Sequence, residues 1–227
     1  MQEEKQVTDY RYRLHFEKTG TFAYVSHLDL VRTFTRLFMR AELPLYFSEG
    51  FNPHPKMVFS VPLPLGMEST AELLDFRTVE KLDPVSVTER LCAVSPIGLV
   101  IRSLAPAEGK LSEIAFAEYT VTYAVPPGKA GEAAFSAFLA QERILAEKKG
   151  KDGVKTVDIR PMIERWERLS DTTFRALLSV SSDRFLSPDL FRSRLHAYFE
   201  EHVGGPAPSC RMVRTAFYRS DAVTLFS

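Results

Sequence analysis

Two hydrophobic spacings, strand-like alternation and the helical three-to-four repeat, follow one another in the same order twice along this chain. That duplication constrains the fold more than any single motif. In the first half, residues 10–16 read YRYRLHF: Tyr10, Tyr12, Leu14 and Phe16 alternate with Arg11, Arg13 and His15. This is the period of a half-buried strand with a basic open face. Residues 26–42 carry the helical period, with Ser26 as N-cap, Asp29 three residues on, and an apolar stripe of Leu28, Val31, Phe34, Leu37, Phe38 and Ala41. Leu43-Pro44 closes the helix. Short strands are expected at 45–47 and 57–61, either side of a Gly/Asn/Pro loop, and a longer one at 72–79. Asp83-Pro84 opens a second helix in cap-then-proline order, and 97–104 returns as a strand.

The second half repeats the order. Tyr119, Val121, Tyr123 and Val125 alternate over 118–125, a helix is expected at 130–143, and a strand at 173–180. Ser187-Pro188 opens a helix bearing Leu190, Phe191, Leu195, Tyr198 and Phe199, and 211–218 closes as a strand. Matching landmarks lie about 104 to 114 residues apart. The pattern predicts an α+β protein of two tandem ferredoxin-like (βαββαβ) units, residues 10–105 and 116–220, joined through 106–115. Two unrelated α+β halves are the alternative.

Composition sets outer limits. Lys+Arg and Asp+Glu number 29 each among 227 residues, so the chain is neither a basic nucleic-acid tail nor an acidic solvating one. No apolar run approaches the ~20 residues of a membrane span, and MQEEKQVTDY has no signal-like apolar core, so a cytoplasmic protein without membrane contact is expected. Two distant cysteines, Cys92 and Cys210, exclude a disulfide framework, a four-cysteine zinc site and an iron–sulfur cluster with its usual ligands. Cys92, in a helix-like stretch, reads as a buried inert thiol.

Three stretches occur only in the first half: YVSHLDLVRTFTRLFMR, SEGFNPHPK and PLPLG. Residues 10–66 carry seven Lys/Arg against four Asp/Glu, and three of the five histidines. Arg32, Arg36 and Arg40, at spacing four, form one helical column opposite the apolar stripe, either a solvated face or a phosphate-tracking one. His27 follows the cap, where the helix dipole disfavours a positive charge, so its imidazole suits a general base or a phosphate donor. In SEGFNPHPK, Pro53 and Pro55 fix the backbone and Gly50 permits a positive φ; Phe51 reads as an anchor into the core, while Asn52, His54 and Lys56 offer donors to a base edge or phosphate. His15, His27 and His54 show no metal-like spacing, so no metal site is expected. Trp166, in the amphipathic stretch 161–169, reads as a packing residue. Phosphate-loop, dinucleotide and nucleophile-elbow motifs do not occur.

At these residues the sequence resembles a bacterial domain of unknown function linked to radical-SAM proteins. The resemblance rests on Phe16, Lys18, Gly20, the run Val25-Ser26-His27-Leu28-Asp29-Leu30 with Arg32, then Arg40-Ala41, Leu43-Pro44, Ser48 to Lys56, Pro62 to Gly66 and VDIRP from Val157. It implies a radical-SAM protein as partner; family members stand alone or follow a cobalamin-binding radical-SAM part. With two cysteines the chain is not itself the radical-generating component, and no cofactor is expected for it. The expected function is an RNA-binding accessory protein that presents RNA, tRNA or rRNA, to a radical-SAM modifying enzyme. Its contacts are expected from Arg11, Arg13, His27, Arg32, Arg36, Arg40, Asn52, His54 and Lys56. Two rivals stand beside it: a metal-independent endoribonuclease using His27, and a pure protein adaptor for the radical-SAM subunit.

Overall fold

The computed structural model describes residues 9–150 and 153–226, without the side chains of 149 and 150. Residues 1–8, the part of the N-terminus read above for targeting signals, lie outside the described residues. The protein is α+β, with four α-helices among the described residues, and divides into two compact units at Glu113/Ile114.

In the first unit the order is β1 (Tyr10–Lys18), α1 (His27–Arg40), β2 (Met57–Phe59), β3 (Glu68–Thr78), α2 (Pro84–Val94) and β4 (Leu99–Pro106). The strands lie in the order β4–β1–β3–β2, every neighbouring pair antiparallel. Ser26 caps α1 as its sequence position demands, its side chain accepting from the Asp29 amide. Asp83 caps α2 by accepting from the Ser86 N–H, with Pro84 in the first turn. Tyr12, Leu14 and Phe16 of β1 are buried with Phe34, Phe38, Phe76, Leu91 and Ile101. The Phe16–Phe34 and Phe38–Phe76 ring centres stand 4.8 and 4.5 Å apart, which fastens α1 to the sheet. Gly98, at φ +88°, lets β4 begin against the end of β1: a Cβ there would sit 2.5 Å from the Thr19 carbonyl oxygen.

Several expectations change here. The face of β1 carrying Arg11, Arg13 and His15 is not open. Arg13 is 5% exposed and forms a two-pronged pair with Asp75, its cross-strand neighbour on β3, at 2.7 and 3.0 Å. Arg13 is therefore withdrawn from the solvent-facing contact set, because its guanidinium is consumed by a buried carboxylate. His15 is half-buried, with Nε2 3.0 Å from the Thr70 carbonyl. Leu28 is 58% exposed and Leu30 takes its place in the buried stripe, since Leu28 lies about a third of a turn off that face. Residues 45–47 make isolated bridges, Leu45 to Thr78 and Phe47 to Pro55, and no strand. Cys92 is exposed rather than buried, one position past the inward-facing Leu91.

The second unit runs β5 (Phe116–Tyr123), α3 (Gly128–Ala140), β6 (Leu145–Gly150), β7 (Gly153–Asp158), β8 (Ile163–Arg168), β9 (Thr173–Ser179), α4 (Pro188–Val203) and β10 (Cys210–Tyr218). Strands β10–β5–β9–β8 follow in that order, again with antiparallel neighbours, while β6 and β7 form a separate hairpin. The amphipathic stretch around Trp166 is strand β8, and the indole packs as expected, stacked 5.1 Å from Phe174. No helix among the described residues is long and apolar enough to cross a membrane.

Candidate nucleic-acid interface

The SEGFNPHPK stretch folds as a braced hairpin. The Lys56 amide donates to the Tyr46 carbonyl (3.1 Å), the Ser48 amide to the His54 carbonyl (2.8 Å), and the His54 amide to Ser48 Oγ (3.1 Å). Gly50, at φ +124°, makes the apex, and Pro55 is the buried foot. The Tyr46 amide ties the base to the Arg77 carbonyl at the end of β3. Lys56 Nζ lies 4.7 Å from the Tyr46 ring centre, a cation–π contact that orients the ammonium. His54 Nδ1 is 3.0 Å from Ser48 Oγ and 3.2 Å from the Asn52 carbonyl. With the proton on Nδ1 the ring donates to the Asn52 carbonyl and leaves Nε2 with the free lone pair; with Nδ1 bare, the Ser48 hydroxyl donates to it. Phe51 is fully exposed at the apex, which overturns its reading as a core anchor: no apolar surface reaches a hairpin tip held away from the sheet by its own hydrogen bonds.

Two hollows flank this hairpin and β2. The larger, about 490 Å³, is lined by Arg11, His54, Lys56, Arg77 and Lys110, with Asp75 as its only carboxylate. Asp75 is already neutralised by Arg13. Arg11 reaches the backbone carbonyls of Ala107 and Gly109, so it keeps its full charge while pinning residues 107–109 beside the hollow. Arg77 shares its charge with Asp9. The balance is cationic, and four such charges around one concavity focus a field that attracts anions.

The smaller hollow, about 400 Å³, is lined by His27, Val31, His54, Phe59 and Ser60 and contains no acid. His27 stands exposed at the first turn of α1, its ring edge-on to Phe59 at 5.4 Å. His54 is thus the residue the two hollows share: His27 lines one of them with it, Arg11 and Lys56 line the other, and Asn52 stands exposed on the same hairpin.

The arginine column falls elsewhere. Arg32 pairs with Asp29 at 3.0 Å, and Asp29 also accepts from the Ser26 hydroxyl at 2.7 Å. These bonds, Ser26 first, hold the Asp29 carboxyl below its usual range. Arg36 and Arg40 are exposed as the helical spacing requires, and line a third hollow of about 450 Å³ with Thr33 and Ser95, on the α2 side of α1. The contact set read from sequence therefore does not form one surface: its members are spread over three hollows, two of them joined through His54. Arg77 and Lys110 were not legible in it: strand pairing with β1 sets Arg77 opposite Arg11 at the hollow, and the Arg11 bonds to Ala107 and Gly109 bring the neighbouring Lys110 there. Among the described residues no three His, Cys, Asp or Glu side chains cluster as a metal site.

A family model described as an uncharacterized protein conserved in bacteria (DUF2344) matches residues 11–188. The search of curated proteins gives no match. A crystal structure of an unknown protein from Galdieria sulphuraria is similar at 12% identity, covering 91% of this chain and 99% of that one, with a TM-score of 0.28.

Proposed function

We propose that the chain, which belongs to this bacterial family, is an RNA-binding accessory protein that presents tRNA or rRNA to a radical-SAM modifying enzyme in the cytoplasm. The observation that carries the RNA reading is the 490 Å³ hollow, where Arg11, Lys56, Arg77 and Lys110 meet around one neutralised carboxylate. A phosphate backbone is a polyanion that such a hollow holds without reading sequence. Arg36 and Arg40 supply a second contact on the other side of α1. The enzyme partner is what the resemblance of the SHLDL and SEGFNPHPK motifs implies. Both units, with β6–β7 as an insertion in the second, are read as ferredoxin-like. What supports this is the β-α-β-β-α-β order and the strand orders β4–β1–β3–β2 and β10–β5–β9–β8.

Anisotropy with a labelled tRNA transcript across a salt series tests the reading. Lys56→Glu and Lys110→Glu should each weaken binding and flatten the log–log salt slope by about 0.7 to 0.9 per lost phosphate contact. Unchanged affinity in both variants would make the hollow a solvated surface. A chain that captures the radical-SAM subunit from a lysate yet binds no RNA would be the adaptor.

A second reading rests on a separate observation, the hollow shared by His27 and His54. Two imidazoles facing one concavity suit general acid–base cleavage of RNA. One removes the 2′-hydroxyl proton as that oxygen attacks phosphorus; the other, protonated, gives its proton to the leaving 5′-oxygen. The products are a 2′,3′-cyclic phosphate and a 5′-hydroxyl. Cleavage in chelator that disappears in both His27→Ala and His54→Ala supports this reading; intact RNA after prolonged incubation with the folded protein removes it.

A further inference from the structure

The exposed ring of Phe51 points to a second mode of contact with the same ligand. We infer that Phe51 is a stacking platform for an unpaired nucleobase, so that the preferred RNA is single-stranded or looped where it crosses the hairpin. The inference rests on the RNA reading above and adds which part of the RNA is held, and how. Its physical basis is the position of the ring. The hairpin is closed by backbone bonds between Tyr46 and Lys56 and between Ser48 and His54, with the Ser48 side chain bonding the His54 amide as well. Its apex therefore has little freedom to fold Phe51 back onto the protein, and the ring is fully exposed.

Charge decides between a base and a protein pocket as the occupant. Between Tyr46 and Lys56 the one carboxylate is Glu49, whereas His54 and Lys56 stand at the hairpin's foot and line the cationic hollow. An exposed aromatic ring on a hairpin whose foot lines a cationic hollow matches a nucleotide, whose base has a π-face and whose phosphate is an anion. Stacking of this kind tolerates every base. It accounts for sequence-independent gripping of a strand whose phosphates run into the hollow.

The test compares two labelled twelve-nucleotide probes, single-stranded oligo(A) and an abasic oligomer of equal charge, against the full chain. Wild type should bind oligo(A) about 5- to 150-fold more tightly than the abasic strand, the range of one base–aromatic contact. Phe51→Leu should remove that preference, Phe51→Trp should keep it, and Lys56→Glu should weaken both probes by the same factor. Because the ring touches no core, Phe51→Leu should fold as wild type does, which a thermal melt checks. A preference that survives in Phe51→Leu, or a wild type that binds both probes equally, overturns the stacking role and leaves the charged hollow standing. Binding of neither probe removes the RNA reading and the platform with it.

Discussion

Neutralising Asp75 is the most demanding test of how the first unit is built. Arg13 and Asp75 are 5% and 8% exposed in their side chains and joined by two bonds, at 2.7 and 3.0 Å. Asp75→Asn keeps the shape but turns a neutral amide toward the guanidinium, so the buried Arg13 loses the carboxylate that binds it with two prongs. Breaking one side of a buried pair costs about 3–5 kcal/mol, against less than about 1 kcal/mol for an exposed pair. At about 2–4 °C per kcal/mol for a chain of this size, the midpoint should fall by roughly 6 to 20 °C. Arg13→Met should cost a similar amount, by leaving the carboxylate unpaired. The double variant Arg13→Met/Asp75→Leu should recover most of the loss, because apolar groups of similar volume need no compensation. Calorimetric melts of the four proteins, with RNA anisotropy measured well below each midpoint, give the comparison. Affinity of the folded Arg13→Met protein should match wild type. A midpoint within 2 °C of wild type for both single variants, or an RNA defect in Arg13→Met at unchanged stability, would refute the buried-pair argument and return Arg13 to an open binding face.

Arg36→Glu should leave the melting temperature unchanged or slightly raised, since Arg36 is exposed between Arg32 and Arg40. The same variant should lower RNA affinity with a salt slope smaller by about one; unchanged affinity would mark the column as a solvated face. Iodoacetamide near pH 8 should label Cys92 well before Cys210, because Cys92 is exposed while burial pushes the Cys210 thiol up. Peptide mapping of a time course reads this directly, and equal rates would contradict it. In the second unit His196, its Nε2 3.3 Å from the Tyr123 hydroxyl, is held below its usual 6.5, by burial first and then by Arg192. The fold thus favours neutral imidazole and the unfolded chain takes up the proton first, so this stability is complete above about pH 6.5 and declines as pH falls below it. Urea unfolding at pH 7.5 and 5.5 should show a larger loss in wild type than in His196→Gln.

What the sequence discloses and what it withholds divide along the range of the interactions. Helix α1, its Ser26 cap and the exposure of Arg36 follow from contacts within four residues, and all three are readable from spacing alone. Alternation along β1 likewise places Arg13 opposite Tyr12 and Leu14, but whether that face is wet depends on Asp75, 62 residues away. A single chain has no local signal for such a partner. Hairpin β6–β7 escaped for the opposite reason: residues 153–156 of β7 are all exposed, so no core imposes the period-2 pattern by which strands are recognised. Phe51 combines both problems. Its residue type argues for burial, and only the backbone pairing of Ser48 with His54 shows that it stands at an apex. The candidate site has the same character, since Lys56 is local to its motif whereas Arg77 and Lys110 reach the hollow through strand pairing with β1 and the Arg11 clasp. A motif-bearing loop was thus legible as unusual. The charge that gives it a ligand class comes from segments with no motif at all.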